Sequence, residues 1–210
     1  MHRRIVLALL SCLMLAAPAL AQEAPAPEPV EADAADLPRV AIQTSMGVFT
    51  VEVDTVHAPI SAANFLRYVD EGRYEGMTFY RAMQGYNGSG LIQGGTNNDR
   101  ERTLPGIAHE PTTQTGLTHT DGAISLPRFE PGTAAGDFSI IVGDMTYLDA
   151  RPAADGDNLG YAVFGRVVQG MEVVRAILAA PVSATEGEGV MLGQMLEPRI
   201  VIERVWRVEE

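Results

Sequence analysis

The chain has 210 residues, enough for one domain with appendages, and a formal net charge of −12 at pH 7. All 15 basic side chains are arginines and none is lysine. So acidic a chain repels phosphate backbones and anionic lipid, which argues against nucleic acid or a membrane surface as its partner.

Residues 1–21, MHRRIVLALLSCLMLAAPALA, start basic at Arg3 and Arg4, continue apolar and end on Ala19-Leu20-Ala21. This is the three-part pattern of a secretory signal peptide, with cleavage expected after Ala21 and a periplasmic or secreted product. A membrane anchor is the alternative, but the apolar run is short for a span and Pro18 interrupts its end. Lipid attachment at Cys12 is disfavoured because the cysteine comes early and the apolar run continues past it. Cleavage would remove two arginines and no acid, taking −12 to −14, and would remove the single cysteine. Neither a disulfide nor a thiol nucleophile would remain.

Residues 22–37, QEAPAPEPVEADAADL, are mostly Ala, Pro and acid without apolar periodicity, which predicts a disordered linker. The folded domain is expected over 38–210. RVAIQTSMGVFTVEV alternates about Ser45-Met46-Gly47, a hairpin pattern. APISAANFLRYVDEG places Ile60, Ala63, Phe65, Leu66 and Val69 at helical spacing, with Ser61 a candidate N-cap and Gly72 a candidate stop. MTFYRAM and GLIQGG read as strands, and the polar, turn-rich stretch 97–121 as a long loop. GAISLPRF, DFSIIVG and YAVFGRVVQG are further strands, MEVVRAILAA a second amphipathic helix stopped by Pro181, and PRIVIERVWRVE a closing strand. Many short strands with two well-separated helices predict a mainly β fold, a closed antiparallel barrel whose ends the helices cap.

Little in this chain has the spacing that chemistry usually needs. The histidines outside the leader, His57, His109 and His119, form no compact ligand pattern. ISAAN and AISLP lack the glycines of a nucleophile elbow, and GGTNND lacks the lysine of a phosphate loop. Acids in 149–157 do not match a calcium loop. The motifs thus suggest no nucleophile, no metal and no cofactor. What stands out is Arg81, a permanent charge among Phe79, Tyr80, Met83 and Leu91 with no acid beside it. Strict alternation puts Phe79, Arg81 and Met83 on one face, unless a bulge turns the arginine. Arg81 is then either a snorkelling side chain covering apolar surface or a functional group.

HAPISAANFLRYVDEGRYEGMTFYRAM, LIQGG and LDARPAADGDNLGYAVFGRVVQGMEVV follow one another in an order that resembles the cyclophilin family of peptidyl-prolyl isomerases. The likeness spans about residues 39 to 208, and GYAVFGRVVQGM is similar to exported bacterial members. It implies an eight-stranded antiparallel barrel capped by two helices, and isomerisation of X-Pro bonds in unfolded exported polypeptides without cofactor or metal; a monomer is expected, although the resemblance does not fix the oligomeric state. The catalytic arginine falls on Arg81 and the pocket glutamine on Gln93. Pocket apolar positions fall on Leu126 and Phe138, with Tyr86 the best counterpart of a further Phe, and the rim on Tyr147, Leu148 and Tyr161. The chain departs from the pattern at Tyr80 (for His), Asp137 (for Gln), Ser139 (for the second Phe) and Pro127-Arg128. About four extra residues around YNGSG also separate Arg81 from Gln93. A groove so altered leaves a second expectation: a non-catalytic module or chaperone that holds proline-containing segments.

Overall fold

The computed structural model describes residues 37–209; the expected signal peptide and all but the last residue of the expected linker lie outside them. The elements run β1 (Arg39–Thr44), β2 (Gly47–Val53), α1 (Pro59–Asp70), β3 (Thr78–Gln84), β4 (Gly90–Gly95), α2 (Thr112–Thr115) and β5 (Ala123–Leu126). They continue with β6 (Asp137–Val142), β7 (Ala162–Gln169), α3 (Met171–Leu178), β8 (Val182–Ser183) and β9 (Met195–Arg207). The strand order β1-β2-β7-β5-β6-β4-β3-β9 returns to β1 through a β1–β9 pairing, which closes an eight-stranded antiparallel barrel. The two-residue β8 is appended to β9.

The interior is filled by rings. Phe49, Phe65, Phe79 and Phe138 are at most 1 % exposed. Phe65, carried by α1, meets Tyr74, Phe138 and Phe164 at centroid separations of 5.5, 5.5 and 5.2 Å. Phe79 stands edge-on to Phe138 at 5.6 Å. Such tilted and edge-to-face contacts suit the ring quadrupole, and truncating one of these rings to Ala typically costs about 3–5 kcal/mol. Gly94 makes the arrangement fit: a Cβ there would lie 2.7 Å from the Phe79 ring. On α3, Val174, Ile177 and Leu178 are buried, and the helix packs against β2, β3 and β4.

The start of α1 differs from expectation for a physical reason. α1 begins at Pro59 behind Ala58, and Ser61 lies within its first turn. Its free N–H groups are satisfied from far away in sequence. Glu110, 1 % exposed, accepts from the Ile60 N–H at 3.0 Å, the Ser61 N–H at 2.7 Å and the Ser61 hydroxyl at 2.7 Å. A carboxylate there also faces the positive end of the helix dipole. The expected long loop 97–121 is therefore anchored, and it holds the one-turn α2, ended by Gly116 at φ 73°. It is tied once more where the Leu104 N–H donates to the Tyr68 hydroxyl at 2.7 Å.

Glu110→Ala should leave the buried Ser61 N–H and the partly buried Ile60 N–H unpaired and lower stability by roughly 2–4 kcal/mol. Urea denaturation followed by tryptophan fluorescence or circular dichroism reads this directly. A loss under about 0.5 kcal/mol would mean water replaces the carboxylate without cost.

Candidate active site

The site is built on the outer face of β3, β4, β6 and β5. In register, Arg81 lies opposite Gln93, Gln93 opposite Ser139, and Ser139 opposite Ser125, so one row of side chains crosses four strands. Arg81 joins this row because β3 is bulged. Phe79 pairs with Gly94 and Arg81 with the very next residue, Gln93, leaving Tyr80 as the extra residue. The bulge places Tyr80 and Arg81 together on the outer side, whereas Phe79 and Ala82 stay in the core. Met83 follows Arg81 outward instead of packing within the barrel.

These residues line a cleft of about 400 Å³. One wall is apolar, from Met83, Leu91, Pro127, Tyr147, Leu148 and Tyr161, and Met191 and Met195 border the same space. Beneath the apolar wall a small outer cluster of Leu91, Ala123, Ile141, Met145 and Val163 supports Met83 and Leu148. The other wall is a hydrogen-bonded chain. The Arg81 Nη1 donates to Gln93 Oε1 at 2.9 Å, and Gln93 Nε2 donates to the Tyr80 hydroxyl at 2.7 Å. That hydroxyl donates to Asp137 Oδ2 at 3.0 Å, and Asp137 Oδ1 accepts from the Asn97 N–H at 2.7 Å.

Burial governs the charges here. It raises the Asp137 carboxyl above its ordinary range, an effect opposed by the N–H of Asn97 and the Tyr80 hydroxyl. Burial, and then the neighbouring Asp137, raises the Tyr80 phenol, so it remains a neutral donor. Burial also lowers the Arg81 guanidinium from its usual value, but an arginine so perturbed is still a cation in ordinary buffers. Among the described residues, no carboxylate pairs with Arg81.

Of the residues expected at the site, Arg81, Gln93, Tyr147, Leu148 and Tyr161 meet around the cleft. Three others do not. Leu126 and Phe138, 1 % and 0 % exposed, point into the barrel core, because the pleat that turns Ser125 and Ser139 outward turns their neighbours inward. Tyr86 sits on a separate turn, Tyr86–Gly88, and is 90 % exposed, away from the cleft lining. Arg128 borders the cleft but is committed elsewhere. It holds Asp157 with two hydrogen bonds at 2.6 and 2.8 Å, donates to the Gly160 carbonyl and lies 5.6 Å from the Tyr161 ring. The guanidinium lowers Asp157 to about 2, and the pair buttresses the 151–160 loop against the rim.

The chain matches the family profile described as cyclophilin type peptidyl-prolyl cis-trans isomerase/CLD over residues 39–205. The chain belongs to the cyclophilin-type peptidyl-prolyl cis-trans isomerases. It is 36 % identical over 148 residues to a peptidyl-prolyl cis-trans isomerase of Acinetobacter baylyi, covering 69 % of this chain and 73 % of that one. With peptidyl-prolyl cis-trans isomerase A of Dickeya dadantii it shares 36 % identity over 142 residues, 66 % and 70 % of the two chains. A cyclophilin-type isomerase of Cryptosporidium parvum superposes with a TM-score of 0.64 at 20 % identity, covering 83 % of this chain and 99 % of that chain, a likeness of fold.

One support of this cyclophilin cleft gave no signal as a motif. His119, fully buried, bridges the turn Thr146–Leu148 that carries rim residues Tyr147 and Leu148. Its carbonyl accepts from the Met145 N–H at 2.8 Å, and its own N–H and Nδ1 reach Asp149 Oδ1 at 3.0 and 2.6 Å. Nε2 is buried without a partner. Neutral imidazole with the proton on Nδ1 satisfies this geometry, since a bare lone pair costs less to bury than an unpaired N–H. Burial lowers the His119 pKa below its ordinary 6.5, with Asp149 opposing. The folded chain therefore refuses a proton that the unfolded chain accepts, and stability falls as pH drops below about 6.5. Denaturation midpoints followed from about pH 8 to pH 5.5 should decline more steeply for the wild type than for His119→Asn. Parallel curves would remove His119 from the account.

Proposed function

We propose that Arg81 is the catalytic group of this isomerase and that its substrates are proline-containing segments of unfolded exported polypeptides. Rotation about an X-Pro bond faces a barrier of about 18–20 kcal/mol because the amide has partial double-bond character. No bond need be broken. On twisting, the prolyl nitrogen becomes pyramidal and gains a lone pair, and a guanidinium N–H aimed at it donates a hydrogen bond that strengthens along the way. The apolar wall from Met83 to Tyr161 grips the ring, and Gln93 orients the guanidinium fork.

The observation that carries this reading is the state of Arg81. It is charged, half-buried beside an apolar wall, and held by neutral amides, so its charge is not cancelled by a carboxylate. The export of the chain rests on the leader pattern of residues 1–21, and with it the domain division into leader, linker and barrel. Ser139 and Ser125 make the cleft floor more polar than a ring-gripping site needs, which favours a second reading, a proline-peptide holding module in the same groove.

Arg81→Ala should lower kcat/KM on an X-Pro peptide by about 10²-fold, the usual cost of one transition-state donor. Its thermal midpoint should stay close to wild type. Undiminished turnover would reject the role of Arg81. Peptide binding by the wild type without any acceleration in a protease-coupled assay would favour the holding module.

A further inference from the structure

Arg81 is held at two points, and only one belongs to the cross-strand row. Gln93 takes Nη1; a second amide, Gln194, takes Nε, with its Oε1 accepting at 2.9 Å. Gln194 is 113 residues away in sequence. It is not among the residues that line the cleft, although its neighbours Met191 and Met195 are.

The loop that presents it is a built structure. Gly187 adopts φ 100° and a Cβ there would lie 2.3 Å from the Met191 carbonyl oxygen, so the chain doubles back tightly at this point. The Gly193 N–H donates to the Glu186 carbonyl at 3.0 Å and the Gln194 N–H to the Met191 carbonyl at 3.1 Å. The Gln194 carbonyl accepts from the Ala82 N–H at 2.9 Å, which stitches the loop to β3 next to Arg81. The side-chain amide cannot be turned over. Its Nε2 donates to the Val190 carbonyl at 2.7 Å, and its Oε1 faces a donor-only guanidinium, so each end meets the one polarity it fits.

We propose that Gln194 is a positioning residue for the isomerase reaction: it fixes the Nε edge of Arg81 so that the guanidinium plane presents its remaining donors to the substrate amide. Arg81 has five N–H donors. Gln194 and Gln93 engage two, and among the described residues the rest have no partner. A fork tied only at Nη1 would swing about that contact. Tying Nε as well holds the plane, and misplacement of a catalytic group by an ångström can cost up to about 10²-fold in rate. The inference rests on the reading of Arg81 as the catalytic group.

The test compares Gln194→Met, which keeps length but loses the acceptor, with Gln194→Glu, which keeps an acceptor. Steady-state isomerisation of an X-Pro peptide gives kcat and KM, and ¹H–¹⁵N spectra follow the Arg81 Nε–H, assigned by its loss in Arg81→Ala. The expected result for Gln194→Met is a kcat lower by roughly ten-fold with KM within about two-fold, and loss of the slowly exchanging Nε–H signal. In Gln194→Glu that signal persists. Unchanged kcat in Gln194→Met, or a protected Nε–H in that variant, would overturn the proposal, as would a fall in kcat matched by a rise in KM. Should Gln194→Met not fold, Gln194→Ala carries the same two readouts, and the same results in it support or overturn the proposal. If Arg81→Ala retained full activity, the catalytic role of Arg81 would fail separately, while the Nε–H signal would still report on the contact with Gln194.

Discussion

A strand that must bury Phe79 in a barrel already full of rings, and still turn Arg81 outward, cannot keep a regular pleat. The extra residue at Tyr80 resolves this conflict. Without it, alternation would send the guanidinium toward Phe49 and Phe138, where an unpaired charge costs several kcal/mol. With it, the ring stays inside, Ala82 returns to the core, and two polar side chains stand side by side on the outer face. The row Arg81, Gln93, Ser139, Ser125 follows from that one displacement, because each later member is fixed by register to the one before.

The polar wall is set by donor and acceptor arithmetic. An arginine only donates and an ionised carboxylate only accepts, so a chain between them needs groups that do both. Gln93 and Tyr80 are such groups, and their order leaves each proton with one sensible direction. Asp137 terminates the chain two residues removed from the guanidinium and does not neutralise it. In a chain of net charge −12, this keeps a cation available at the cleft.

Much of this was legible from residue order. The hairpin, the two longer helices and the run of short strands carry periodicities of 2 and 3.6 that need no tertiary information. The family-like segments located Arg81, Gln93 and the rim tyrosines. The resemblance points to Leu126 and Phe138 as pocket residues, but the pleat decides otherwise: once Gln93 faces out, Ser139 and Ser125 across from it face out, and Phe138 and Leu126 beside them face in. Tyr86 lay beyond such reasoning because the inserted Tyr86–Gly88 turn departs from the strand altogether. Glu110, His119 and Gln194 act on partners 30 to 113 residues away, through bonds that no local spacing encodes.

The closing pairing of the barrel has a topological corollary. Val40 sits opposite Arg207, and the Val208 N–H donates to the Arg39 carbonyl at 2.8 Å, so the two ends of the described chain are immediate neighbours. In the ring of strands β1 stands diametrically across from β6, at the centre of the cleft floor. Splicing residue 208 to residue 38 through a few glycines and reopening the chain in the exposed 153–156 loop gives a circular permutant whose seam lies on the wall opposite the cleft.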